Sequence, residues 1–183
     1  LNWLEPKRTT VEVRNRFEQL KKQSPNSELM QCVWSAKTLK QNYDIDHSMP
    51  FARWPNNDLW NLLPTDSHIN NQKSDRLPTE YKLKGAKERI QHWWQEAWLN
   101  EIPKSFEVQE QSMAYALSTQ YFVSSTEIEQ KAQINQSWKQ RFFAEANIAL
   151  PGLNSDNSSI DDLFEALVVQ RNRLKEMQQL REW

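Results

Sequence analysis

Glycine occupies only two of the 183 positions, Gly85 and Gly152. It is the residue that supplies the positive φ of tight turns and bulges. Its scarcity therefore disfavours a sheet-rich chain of short hairpins and favours long helices with few sharp corners. The length suffices for one sizeable domain, or for a small catalytic module carrying a helical extension. The expected class is α+β and mostly helical, with a small core embedded in a helical scaffold. Four stretches are expected: an N-terminal helical segment at 1–29, a central unit at 30–78, a helical extension at 79–150, and a linker with a C-terminal helix at 151–183.

Local signals place the helices. Residues 9–23 carry Val11, Phe17 and Leu20 partly on one face, with Thr9 or Thr10 as cap and Pro25 beyond the end, while Arg14, Arg16, Lys21 and Lys22 are expected to face solvent or DNA. Pro78-Thr79 opens a helix running to about Asn100, with Gly85 as its weak point and Trp93, Trp94 and Trp98 at core spacing. Two more helical patterns cover 106–117 and 125–150, and Ser159 caps a last helix striped by Ile160, Leu163, Phe164, Leu167, Leu174 and Met177. In the central unit, Met30–Ser35 and Tyr43–His47 read as two strands of a hairpin, and Thr65 or Asp66 as the cap of a short helix.

Cys32 is the only cysteine, which excludes an internal disulfide and a zinc ribbon with paired thiolates, and fits a reducing, cytoplasmic setting. No apolar run approaches the roughly 20 residues a membrane helix needs. The chain starts at Leu1, as a piece of a longer polypeptide would. The formal net charge is −1, yet Lys73, Arg76, Lys82, Lys84, Lys87 and Arg89 cluster locally, where they could meet phosphates. Arg53, Arg76, Lys82, Lys84 and Lys87 are the candidate DNA-backbone contacts, which would fix register without reading sequence.

Chemistry concentrates in the central unit. Hydrolysing a phosphodiester needs an activated water and relief of charge on the phosphoryl and leaving oxygens. His47, with an ordinary pKa of about 6.5, can take a proton from water, and Asp46 offers a hard oxygen to a cation such as Mg²⁺. Neighbours on a strand point to opposite sides, which would separate the leaving and attacking faces. Asn70 and Lys73 share a helix face, so one surface could hold metal and phosphate.

The run Tyr43-Asp44-Ile45-Asp46-His47-Ser48-Met49-Pro50, followed by Asn61-Leu62-Leu63 and Asn70-Asn71-Gln72-Lys73-Ser74-Asp75, resembles the HNH nuclease family. It is most similar to the variant in the HNH domain of RNA-guided CRISPR nucleases, where an Asn replaces the final His; Cys32–Lys37 also looks like that variant's first strand and turn. The resemblance covers residues 30–78. It implies a ββα-metal core with Asp46 and Asn70 as metal ligands, His47 as general base, Asn61 bracing the loop that presents His47, and Lys73 on a backbone phosphate. Asn71 and His68 are minor candidates for the metal. With Cys32 alone, no structural zinc is expected, and aromatic packing must hold the core instead.

The resulting expectation is an endonuclease that uses Mg²⁺, or Mn²⁺, to cut DNA, in a restriction, anti-phage or mobile-element system. Further domains or subunits of a larger defence or mobile-element protein would be its partners, and a homodimer paired through the last helix would suit a double-strand cutter. The competing readings are a DNA-binding or assembly module whose nuclease activity is secondary or lost, and a nuclease toxin.

Overall fold

The computed structural model describes residues 6–23, 31–99, 124–153 and 158–183. Helix α1 (Val11–Gln23) leads into the central unit, where strands β1 (Tyr43–His47) and β2 (Leu62–Asp66) pair antiparallel and helix α2 (Ser67–Lys73) follows directly. Beyond it come α3 (Glu80–Gly85), α4 (Lys87–Trp94), a π-helical turn at Gln95–Leu99, the long α5 (Ser124–Ala149) and α6 (Ile160–Gln178). The architecture is α+β and mostly helical, with a ββα unit at its centre. The helix expected at 106–117 lies outside the described residues.

The hairpin differs from the one expected. Tyr43–His47 pairs not with residues 30–35 but with Leu62–Asp66, in the register Ile45↔Pro64 and His47↔Leu62. A proline is tolerated in β2 because a two-stranded sheet consists of edges, where a missing N–H breaks no ladder. Pro64 still uses its carbonyl: it accepts the Val33 N–H at 3.1 Å. The segment around Val33 thus covers the outer edge of β2, held as a turn by the bridge between Gln31 and Thr38 and by the Ala36 N–H donating to the Cys32 carbonyl at 2.9 Å.

Tryptophans lock this sheet to the scaffold. Trp93 on α4 donates its indole N–H to the Leu62 carbonyl, and Trp94 donates to the Trp60 carbonyl, both at 3.1 Å. Both rings are buried, so each indole adds apolar area and satisfies a buried carbonyl in the same contact. Phe17 of α1 packs on Tyr43 of β1 with ring centroids 4.6 Å apart. Arg16 does not face solvent as expected. It is buried, and its Nε donates to the Ala97 carbonyl at 3.0 Å, satisfying a backbone group near the end of the π turn.

The expected helix over residues 78–100 is broken at Ala86, one residue after Gly85, and Thr79 caps its first part through the Lys82 N–H. Ser159 and Asp162 form a reciprocal capping box on α6. Of the α6 stripe, Leu163, Phe164, Leu167 and Leu174 are in the core, whereas Met177 is exposed. Gly152 sits at φ 82 in the turn after α5, a conformation that suits a residue without Cβ. The last residues return to the centre: Leu77 donates to the Arg181 carbonyl and accepts from Trp183, each at 2.8 Å, so the chain end anchors the segment leaving α2.

Candidate active site

Adjacent residues of β1 and one turn of α2 converge on a single cavity. Asp46, His47 and Asn70 line it together with Asn71, Ser74, Asp75 and Arg8, around a volume of about 240 Å³. The approach of α2 follows from its cap. Asp66, the last residue of β2, accepts the His68 and Ile69 N–H groups at 3.1 and 3.2 Å, so the helix starts where the strand stops.

His47 is 1% exposed, and burial holds its pKa below the ordinary value, keeping the ring neutral. Its Nε2 lies 3.0 Å from Asn57 Oδ1. The orientation of that amide is set by two backbone groups: the Thr9 N–H donates to Oδ1 at 3.2 Å, and Nδ2 donates to the Lys7 carbonyl at 2.8 Å. An acceptor therefore faces Nε2, Nε2 carries the ring proton, and Nδ1 keeps the lone pair. Nδ1 is buried and has no partner among the described residues. Its lone pair is uncommitted, in a residue that lines the cavity.

Asn61 is fully buried and ties the loop after His47 to β2. Its Oδ1 accepts the Met49 N–H at 2.8 Å, and its Nδ2 donates to the Met49 and Asn56 carbonyls at 3.2 and 3.1 Å. The Ser48 N–H adds a bond to the Asn61 carbonyl at 2.8 Å. One side chain thus fixes both ends of the loop leaving the imidazole, without reaching the cavity itself.

Asp46 uses both oxygens inside the protein: Oδ2 accepts the Trp34 indole N–H at 3.0 Å and Oδ1 accepts Lys73 Nζ at 3.1 Å. Lys73 is the clearest correction to the sequence reading. Instead of reaching a backbone phosphate, it is fully buried, donating also to the His47 carbonyl at 2.8 Å. A spacing of three residues gives a shared helix face but not depth, and this face turns into the sheet at Lys73. Asn70 donates Nδ2 to Asp44 Oδ2 at 3.1 Å, which leaves its carbonyl oxygen as the uncommitted end of the amide.

The other expected residues divide. Asn71 reaches the cavity, whereas His68 is exposed on α2 and pairs with Gln72 at 3.1 Å. Arg53 pairs with Asp75 at 3.0 Å, and Arg76 donates to the carbonyls of Gln72 and Lys73 at the end of α2. Lys82 stacks 3.6 Å from the Trp183 ring centre, Lys84 pairs with Glu80 at 2.5 Å, and Lys87 pairs with Asp161 at 2.9 Å. None of these three lysines lines the cavity. Nothing in the sequence singled out Asn57, which reads as a turn residue after Pro55, or Arg8, which precedes the first helix.

A strand carrying Asp-His, an antiparallel partner and a following helix that returns Asn to the same cavity together form a ββα unit around one candidate site. Residues 33–79 match the HNH endonuclease family. No curated protein matches the chain closely enough to count. The HNH segment spans β1, β2 and α2, and every residue lining the cavity except Arg8 lies within it. The match supports nuclease activity on nucleic acid, and HNH nucleases depend on a metal ion.

The donor set fits a hard cation. The carboxylates of Asp46 and Asp75 and the amides of Asn70 and Asn71 line the cavity with the His47 imidazole, so oxygen donors predominate; among the described residues no group of three or more His, Cys, Asp or Glu side chains is placed to hold a metal ion. Few protein ligands suit Mg²⁺, which keeps several waters and binds substrate phosphate. Among the described residues, no helix is long and apolar enough to cross a membrane.

Proposed function

We propose that this protein is a metal-dependent DNA endonuclease in which His47 is the general base and Asp46 and Asn70 hold a single divalent cation, Mg²⁺ or Mn²⁺. The observation that carries this reading is the unpartnered Nδ1 of His47, a residue that lines one cavity with Asp46 and Asn70. His47 takes a proton at Nδ1 from the attacking water, while its Nε2–H stays on Asn57 and holds the ring in plane. Asp46 is held between Trp34 and Lys73 and presents the remaining lone pairs of its oxygens. When bound, the cation neutralises charge on the phosphoryl oxygen and on the leaving alkoxide. Asn61 is a positioning residue that keeps the loop after His47 from relaxing.

Plasmid DNA incubated with wild type and His47→Ala, with and without Mg²⁺ or Mn²⁺, tests the assignment. Cleavage is expected only with wild type and metal, while His47→Ala retains DNA binding. Wild-type cutting by His47→Ala would overturn it. The restriction, anti-phage or mobile-element setting rests on the habits of HNH nucleases alone, and protection of expressing cells against phage is its direct assay.

A further inference from the structure

With Lys73 buried on Asp46, a cation for the substrate phosphate must come from elsewhere, and the cavity contains one. Arg8 is exposed and lines both the cavity of Asp46, His47 and Asn70 and the neighbouring one on the far side of Asn70. The two carboxylates beside it in the first cavity are already engaged, Asp46 with Lys73 and Asp75 with Arg53. In the second cavity, Asp44 is engaged by Asn70 and, at 3.9 Å, by Arg14. Arg8 therefore lines a phosphate-sized space in which no carboxylate is devoted to it.

The backbone on both sides of Arg8 is fixed. Asn57 holds the Lys7 carbonyl with Nδ2 and the Thr9 N–H with Oδ1, so one amide grips the residue before and the residue after. The same Oδ1 meets His47 Nε2. A single side chain thus sets which ring nitrogen of His47 is free and where Arg8 projects.

We propose that Arg8 is the phosphate-binding cation of this site, and that Asn57 is the positioning residue that holds it in register with His47. The proposal rests on the reading of Asp46, His47 and Asn70 as the cleavage site. A guanidinium suits the task because its planar fork bonds two phosphate oxygens at once. Charge develops on those oxygens in the transition state, so the contact strengthens as the bond breaks.

Cleavage of a duplex oligonucleotide with Mn²⁺ separates the possibilities. Arg8→Ala is expected to lower kcat by about 10²-fold with a smaller change in KM, and Arg8→Lys to fall between. Millimolar guanidinium should restore part of the activity of Arg8→Ala and none of that of His47→Ala. Asn57→Ala should lower kcat as well, and adding it to Arg8→Ala should cost less than the two single losses together, because both act through one contact. A readout without turnover uses inorganic phosphate titrated into protein labelled with ¹⁵N-histidine: the His47 resonances should shift in wild type and not in Arg8→Ala. An Arg8→Ala variant within twofold of wild type, or an unchanged phosphate response, overturns the proposal while a dead His47→Ala leaves the site assignment standing. Full activity of His47→Ala removes both.

Discussion

Replacing Lys73 by Met should destabilise this protein far more than the loss of a surface ion pair. Lys73 is 0% and Asp46 3% side-chain exposed, with Nζ and Oδ1 3.1 Å apart. Methionine keeps most of the lysine stem's volume, so packing changes little and the substitution isolates the charge. It leaves the Asp46 carboxylate with only the Trp34 indole N–H, and it removes the side-chain donor to the His47 carbonyl. Breaking a buried pair from one side costs about 3–5 kcal/mol, because the surviving charge stays desolvated. That is about a fifth or more of the stability of a domain holding about 5–15 kcal/mol. Urea unfolding of wild type, Lys73→Met, Asp46→Asn and the double variant gives the pair's coupling directly. The double variant should recover most of the loss, since neither charge remains. Mg²⁺ should stabilise Lys73→Met more than wild type, because a cation at Asp46 replaces the missing ammonium; a hundredfold excess over Kd contributes about 2.7 kcal/mol. A loss below about 1 kcal/mol, the range of exposed pairs, would refute the reasoning.

Asn61→Ala leaves the Met49 N–H and the Met49 and Asn56 carbonyls without that partner, and should cost at least about 1–3 kcal/mol in thermal or urea unfolding. Cleavage should fall with it even below the melting transition, as the His47 loop loosens. The Asp66 carboxyl is held below the usual carboxylate range, chiefly by Lys37 donating at 2.8 Å. Its stabilising contribution is therefore complete above the ordinary carboxylate value and lost as pH falls through the depressed one. Lys37→Ala should unfold at lower urea than wild type near neutral pH, with the gap closing in acid; a gap independent of pH would contradict this. Ser159→Ala removes one half of the α6 capping box and should cost about 1 kcal/mol, read from the urea midpoint.

Features carried by neighbours in sequence were legible, and features carried by depth were not. The caps at Thr79, Asp66 and Ser159 could be read because a cap involves residues two or three positions apart. The core tryptophans could be read from helical spacing. Strand pairing failed at Pro64, whose residue type argues against a strand unless the sheet is known to have only two. Residues 30–35 were placed beside the wrong strand for a physical reason: they do bond to the sheet, but through the Pro64 carbonyl on its outer edge. Arg16 and Lys73 read as surface cations because charge suggests solvent by default, and only the fold reveals the carbonyls and the carboxylate that receive them.

The same limit explains why the site's chemistry was easier to read than its electrostatics. Asp46, His47 and Asn70 announce themselves through residue type and order, and the ββα unit brings them to one cavity. What each group can do there depends on partners 10 to 27 residues away: Asn57 on His47, Trp34 and Lys73 on Asp46, Asp44 on Asn70. Each partner occupies one end of a group that has two usable ends, and so decides which end stays available. Asn57 takes Nε2 and leaves Nδ1, while Asp44 takes the Asn70 amide N–H and leaves its carbonyl. An imidazole nitrogen with its lone pair and an amide oxygen remain uncommitted on residues that line the same cavity, because their alternatives are already bonded. Removing Asn57 or Asp44 should therefore harm this site by restoring the wrong choice, with every expected active-site residue still in place.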